Sequence, residues 1–459
     1  MIIDYNLKPE DLKEKLDWFW RLSGEKILRI EKEYNPRLGA PVFTVGGKYT
    51  SRSWTEWTQG FQYGSAILQF EATGDEQFLK LGRDNTAAKM APHVSHIGVH
   101  DHGFSNISTY GNLHRLMKTG KIPFHEWEKN FYELAIKASG AVQANRWTKT
   151  ITGGFIYSSN GPHSLFINTI RSCRVLMIAH QLGHFLSGEN DSRISLLQRA
   201  VGHLLATAEY SVYYDEARDI YDEWGRTAQE SIFNINDGSY RCPNTIKGNS
   251  PFSTWMRGLA WAMLGFSEET EFLNTLSKDD FENFEKKGVV IGKVLKGAEA
   301  TCDFYIDHTP ADGIPFWDSG APGLIHMKDY LRQPADPFNE FEPVDSSAAA
   351  IGAQGLLRLG HYLIYKGRVE EGTRYWQAGL TIVSRLLESP YLSVDADHQG
   401  ILLHSVYNRP YGWDHIPKGF KVPCKESSMW GDYHLRETAL YLSKILSGDG
   451  YYTFFNGVV

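Results

Sequence analysis

Apolar positions recur at helical spacing through most of this chain. Leu12, Leu16, Phe19, Leu22 and Ile27 mark one face of a first helix expected over 9–32. Trp57-Thr58-Gln59-Gly60-Phe61 opens a second helix that ends at Gly74, and TGDEQFLKLGRDNTAAKM starts a third at once. Helix, short Gly-containing turn and helix again is the signature of an αα-hairpin. The same punctuation recurs at 116–120, 184–188, Met263-Leu264-Gly265 and 364–367, each time before a charged helical stretch. The first helix of each pair is small and apolar, and the second carries charge on one face. Inner and outer layers of a closed ring need that division. Spacing between pairs is too uneven for a fixed-repeat solenoid, so the pattern predicts one all-α toroid of about six hairpins over 1–459 as a single domain.

Between the hairpins lie long irregular segments, 141–162, 233–253, 310–345 and 392–426, dense in Gly, Pro, Trp, Tyr and Asn. Loops of that length in a compact domain are usually functional. Aromatic residues gather where loops meet inner helices: Trp54, Trp57, Tyr157, Trp255, Trp261, Trp317, Trp413 and Trp430. Such rings stack on the apolar faces of sugars, and they serve equally well as core.

The stretch 93–113, HVSHIGVHDHGFSNISTYGNL, holds four His and one carboxylate, Asp101. Helical spacing downstream places Asp101 at the mouth of a helix, two residues before Gly103, which would let a ligand approach closely. Acid–base chemistry, contact with a sugar hydroxyl and a plain N-cap role are all open to it. Other carboxylates near the junctions are Asp237, Asp312, Asp318, Asp345 and Asp432, and Asp345 also reads as an N-cap. His180 and His184 form HQLGH, which lacks the Glu of HExxH. His93, His96, His100 and His102 lack acidic or Cys partners at a recognised spacing, so no metal is expected. There is no P-loop and no GxGxxG after a strand, so no nucleotide and no cofactor is expected either.

Composition narrows the classes further. The chain of 459 residues carries a net charge of −7, which argues against general nucleic-acid binding. It has no apolar run of about 18 residues, so no membrane span is expected. Four widely spaced Cys read as reduced thiols, and the acidic, amphipathic N-terminus does not read as a signal peptide. Both point to the cytoplasm, or to the periplasm had a leader been removed. Oligomeric state stays open, a homo-oligomer included.

The motifs together resemble the unsaturated glucuronyl hydrolases, glycoside hydrolase family 88, and more loosely the unsaturated rhamnogalacturonyl hydrolases of family 105. The pieces run in family order: WTQGFQYG with TGDEQF, HDHGF, FINTIRS, DGSY, STWMRGLAW, GIPFWD, DSSAAAIGAQGLL and WGDY. The resemblance implies an (α/α)6 barrel with a carbohydrate pocket at one end. It also implies hydration of the C4–C5 double bond that polysaccharide lyases leave on a terminal uronate, with collapse of the resulting hemiketal. One family Asp protonates the alkene and activates water; a second holds ring hydroxyls. Asp101 matches the second, and the first falls on Asn168, an amide that cannot donate and recover a proton. An inactive variant, a shift of the proton role to Asp101 and a loss of activity are the competing explanations. Trp57, Trp255, Arg257, Trp261, Asp345 and Trp430 match family positions, and His100 or His102 would assist. Asn160 replaces a Trp, Arg241 a His and Lys247 a Gln. The last two exchanges add positive charge and suggest an anionic oligosaccharide, sulfated sugars included. A conventional glycosidase acting on saturated glycosides and a catalytically inactive sugar-binding protein are the rival readings.

Overall fold

Close approach of small residues organises the barrel. The computed structural model describes residues 1–52 and 57–455. Its main helices, in chain order, are α1 (Lys13–Glu33), α2 (Gln59–Thr73) and α3 (Glu76–Lys89). Next come α4 (His102–Asn106, continued by a π-helical Ile107–Gly111 and by Asn112–Lys118), α5 (Glu126–Asn145), α6 (Thr169–Ser172 with Arg174–Gln181) and α7 (Leu196–Tyr210). The chain ends with α8 (Met256–Thr275), α9 (Lys287–His308), α10 (Ser346–Tyr365), α11 (Val369–Leu386) and α12 (Met429–Ser447). Even-numbered helices pack in sequence against one another, and α12 returns to α2, which closes an inner ring. Odd-numbered helices lie outside it. This is the (α/α)6 toroid that the hydrophobic pattern predicts, and the residues before α1 add a 3-10 turn, Pro9–Leu12.

Glycine sets the spacing of the inner ring. A Cβ on Gly60 of α2 would sit 2.3 Å from the Ser105 carbonyl oxygen, and one on Gly103 of α4 would sit 2.0 Å from that of Ser172. Gly103 therefore admits α6, not a ligand as expected from sequence, and this contact draws the N-termini of α4 and α6 together. Two turns also differ from expectation. Gly265 lies inside α8, packed on Ile170, so FSEETEFLNTL continues that helix instead of starting an outer one. Phe185–Ser187 is a strand paired with Arg193–Ser195, and the turn glycine there is Gly183, at φ 74°.

Because α8 continues, Glu268, Glu269 and Glu271 face the barrel lumen and are buried. Arg171 pairs with Glu268 and, at 2.9 Å, with Glu437; Arg174 reaches Glu437 at 3.4 Å; Arg358 binds Glu271 at 2.8 Å. Burial alone would raise the Glu437 carboxyl, but Arg171 and Arg174 together hold it far below the usual carboxylate range. Residues 451–455 stopper this end: the Tyr452 carbonyl accepts from Arg358 at 2.7 Å, its hydroxyl donates to Glu437 at 3.0 Å, and Phe455 packs on Phe272. An antiparallel sheet of β1 (Ser164–Phe166), β2 (Glu230–Phe233) and β3 (Tyr240–Asn244) decorates the opposite end. Cys173, Cys242, Cys302 and Cys424 are free thiols. Among the described residues no helix is long and apolar enough to cross a membrane.

Breaking a buried pair strands the remaining charge. Glu437→Gln is expected to cost about 3–5 kcal/mol, read from the shift in a urea unfolding curve. Asp17→Asn, which removes the exposed Lys13–Asp17 pair, should leave that curve in place. Equal curves for the two variants would refute the structural role of the lumen charges.

Candidate active site

The inner helices direct their N-terminal ends at a cavity of about 180 Å3. Trp57 precedes α2; His100, Asp101 and Phe104 come from the start of α4; Phe166 and Asn168 from the start of α6; Trp255, Arg257 and Trp261 from α8. Loops add Ser159, Asn160, Ile246, Lys247, Tyr407, Asn408, Tyr411 and Trp413. Long loops therefore do supply half of the wall. A wider groove of about 730 Å3 lies on the outer layer between α7 and α9, but its Lys293–Glu285 and Lys296–Glu216 pairs neutralise one another. Among the described residues no set of reactive groups converges there.

Asp101 occupies the N-cap position of α4, yet its side chain makes no capping bond. The carboxylate is thus released from the local role and faces the cavity. Its side chain is only 14% exposed, and burial raises its pKa, with Lys247 and then His102 and Arg146 opposing the rise. His100 stands 3.5 Å from it through Nε2. The Ser159 amide donates to His100 Nδ1 at 3.2 Å, so Nε2 carries the ring proton. Burial, with Arg146 and Lys247 adding to it, holds this imidazole well below its ordinary pKa, and it stays neutral.

Asn168 sits 3.3 Å from the same Nε2. Its Oδ1 is buried without a partner when Nδ2 faces the ring. Hydrogen-bond matching therefore assigns Oδ1 to His100 Nε2–H and leaves the amide N–H groups for a ligand. Like Asp101, Asn168 is an N-cap residue without a side-chain cap bond.

Two cations line the cavity, in opposite circumstances. Arg257 is spent: it binds Asp345 at 2.8 Å and the carbonyls of Val406 and, at 2.6 Å, Tyr407. Its charge is balanced, and it fastens the 406–407 loop to the barrel. Lys247 lies half-buried with Nζ 5.3 Å from the Trp255 ring centre and 5.7 Å from that of Phe166. Among the described residues Nζ has no hydrogen-bond or ion-pair partner. Aromatic walls complete the site, with Tyr407 packed on Trp413 at 5.1 Å and Trp57 stacked on buried Trp430 at 5.2 Å.

Of the residues expected from sequence, Trp57, His100, Asp101, Asn160, Asn168, Lys247, Trp255, Arg257 and Trp261 meet in this cavity. Four stand apart. His102 points away, bonded to Ser139 and the His96 carbonyl. Asp345 caps α10 and holds Arg257; Trp430 donates to Ser347 at 2.9 Å behind Trp57. Arg241 is exposed on β3 near Asp237, outside the lining, so it adds no charge to the cavity wall. The other candidate carboxylates serve the scaffold. Asp312 accepts from the Ala335 and Ile314 amides, Asp318 from Asn249 and Gly320, Asp432 from Ile401, Leu402 and the Tyr49 hydroxyl, and Asp237 from Ser239 in an exposed turn. Among the described lining residues Asp101 is the one carboxylate. Trp54 lies outside the described residues. Among those residues no group of His, Cys, Asp or Glu is placed to hold a metal ion.

Sequence reading missed Phe104 on α4, Phe166 on β1, and Ser159, Ile246, Tyr407, Asn408 and Tyr411, whose roles depend on loop paths. It also missed Arg146, which donates to the Tyr157 and Ser158 carbonyls and sends its field toward Asp101.

No protein-family model matches the chain. An unsaturated glucuronyl hydrolase of Bacillus sp. strain GL1 is 24% identical over 411 residues, covering 88% of this chain and 90% of that protein. An unsaturated chondroitin disaccharide hydrolase of Streptococcus pyogenes serotype M1 is 24% identical over 446 residues, covering 95% and 92%. A variant of an unsaturated glucuronyl hydrolase, solved with dGlcA-Glc-Rha-Glc, superposes with a TM-score of 0.69 at 20% identity, over 97% of this chain and 99% of that one. In sequence over most of its length, and in fold over nearly all of it, the chain is similar to the unsaturated glucuronyl hydrolases that its motifs resemble.

Proposed function

We propose that the chain is a glycoside hydrolase that acts on unsaturated uronyl oligosaccharides by adding water across their C4–C5 double bond, with 1–459 working as one catalytic domain. The observation that carries this reading is the lone carboxylate. Hydrolysis of a saturated glycoside ordinarily uses two carboxyl groups flanking the bond, one as acid and one as base or nucleophile. This cavity offers Asp101, and the other candidates are bound to backbone amides or to Arg257. Hydration of an alkene followed by spontaneous collapse of a hemiketal makes no such demand.

In this reading Asp101 is the base that takes a proton from water as its oxygen bonds to C5. Burial, by raising its pKa, makes it a stronger base than a solvated carboxylate. His100 Nε2–H holds Asn168 and faces Asp101, which fixes both side chains. Lys247, without a counterion, matches the uronate carboxylate, and Trp57, Trp255 and Trp413 offer ring faces to the sugar. Addition of OH at C5 leaves a hemiketal whose ring opening releases the neighbouring sugar.

Lyase-generated unsaturated disaccharides lose their ultraviolet absorbance when the double bond is hydrated. Decay is expected with the chain as it stands, and an Asn168→Asp version run beside it tests whether position 168 limits the rate. Decay only in the Asp version would mark an inactive homologue and defeat the assignment to Asp101. Asp101→Asn should lower turnover by about 10²–10⁴-fold with unchanged circular dichroism. Saturated chromogenic glycosides should stay intact; their cleavage would select the conventional glycosidase instead.

A further inference from the structure

Adding water requires a hydrogen at C4 as well as an oxygen at C5, and the residue at 168 has no proton to give. Of the groups beside Asn168 and the cavity's cations, three come into question. His100 has both ring nitrogens engaged and stays neutral. Arg257 is held by Asp345 and two carbonyls, and a guanidinium does not release its proton near neutrality. Lys247 remains. Its ammonium has no hydrogen-bond or ion-pair partner among the described residues and rests over the rings of Phe166 and Trp255.

Its position matters as much as its freedom. Phe166 lies two residues before Asn168, and its ring meets His100 edge-on at 5.6 Å. His100 in turn touches Asn168 at 3.3 Å and stands 3.5 Å from Asp101. The ammonium thus borders the space that a carboxyl at 168 would serve. Substrate geometry adds a second reason. The uronate carboxylate is bonded to C5, so an ammonium paired with it also faces the adjacent C4.

Resting on the hydrolase reading above, we propose that Lys247 is the general acid of this site and Asp101 its general base. The ammonium gives a proton to C4 as the electron pair of the C4–C5 double bond forms the new C–H bond. Positive charge at C5 is stabilised by the ring oxygen. Water bonds to C5 while the Asp101 carboxylate takes its proton. Proton return from the Asp101 carboxyl to the Lys247 amine, through solvent, restores the starting state. The net change is one water added, with no oxidant or reductant.

The surroundings suit that task. Burial, with Arg257 acting in the same direction, lowers the Lys247 ammonium to about 8, and Asp101 opposes this. Arg146 and neutral His100 stand behind Asp101, and Asp318, under the same loop, is occupied by the Asn249 and Gly320 amides. A lysine so placed exchanges its proton near neutral pH, where an acid catalyst is most effective.

The test uses the full chain with Lys247→Arg and Lys247→Gln, an unsaturated disaccharide and the absorbance assay. Arginine keeps the charge that pairs with the substrate but withholds the proton. Lys247→Arg should keep KM within about threefold while kcat falls about 10²–10⁴-fold; Lys247→Gln should lose in both. In the unsubstituted chain kcat/KM should fall as pH rises through about 8, because the acid form is lost, and this limb should vanish from the residual activity of Lys247→Arg. Wild-type kcat in Lys247→Arg, or an alkaline limb that persists there, overturns the proposal and leaves Lys247 an anchor only. Absence of turnover in the unsubstituted chain overturns the hydrolase reading itself.

Discussion

Charge buried in the barrel lumen is the constraint on which the rest of the architecture depends. Arg171, Arg174 and Arg358 sit where no solvent reaches them, so each requires a carboxylate from another inner helix. Glu268, Glu271 and Glu437 answer from α8 and α12. The pairs tie α8 to its neighbours α6 and α10 and reach across the lumen from α6 to α12, and the requirement fixes the rotation of those helices about their axes. A helix turned by one residue would bury an unpaired charge.

That fixed rotation is what aims the other ends of the helices. With the lumen set, the first turns of α4, α6 and α8 bring Asp101, Asn168 and Arg257 to one cavity. Asp345 and Trp430, one step behind, keep Arg257 and Trp57 in place and make no direct approach to a ligand. The division between Arg257 and Lys247 follows from the same economy. One cation is neutralised to hold a loop, and the other, among the described residues, is left uncompensated in the cavity wall.

Periodicity was enough to read the alternation of layers, because an inner helix must be apolar or small nearly all round and an outer one only on one side. It failed at Gly265, where acidic residues look solvent-facing from spacing alone but pair with arginines that are distant in sequence. Gly103 was recognised as a point of close approach, though the partner is Ser172 and not a sugar. Site residues on helix mouths, such as Asp101 and Trp255, were legible because a motif fixes their place in a turn. Tyr407 and Asn408 were not, since the path of the 392–426 loop rests on backbone contacts from residues distant in sequence, Arg257 and Asp432 among them. Arg241 and Lys247 looked equivalent in sequence; only the course of β3 and the loop beyond it separates an exposed strand residue from a cavity wall.

The plug formed by residues 451–455 has a consequence for access to the cavity. A barrel stoppered at one end has a single doorway, so no extended chain can thread through it. Whatever reaches Asp101 must enter and leave by the same mouth, at the N-terminal ends of the inner helices.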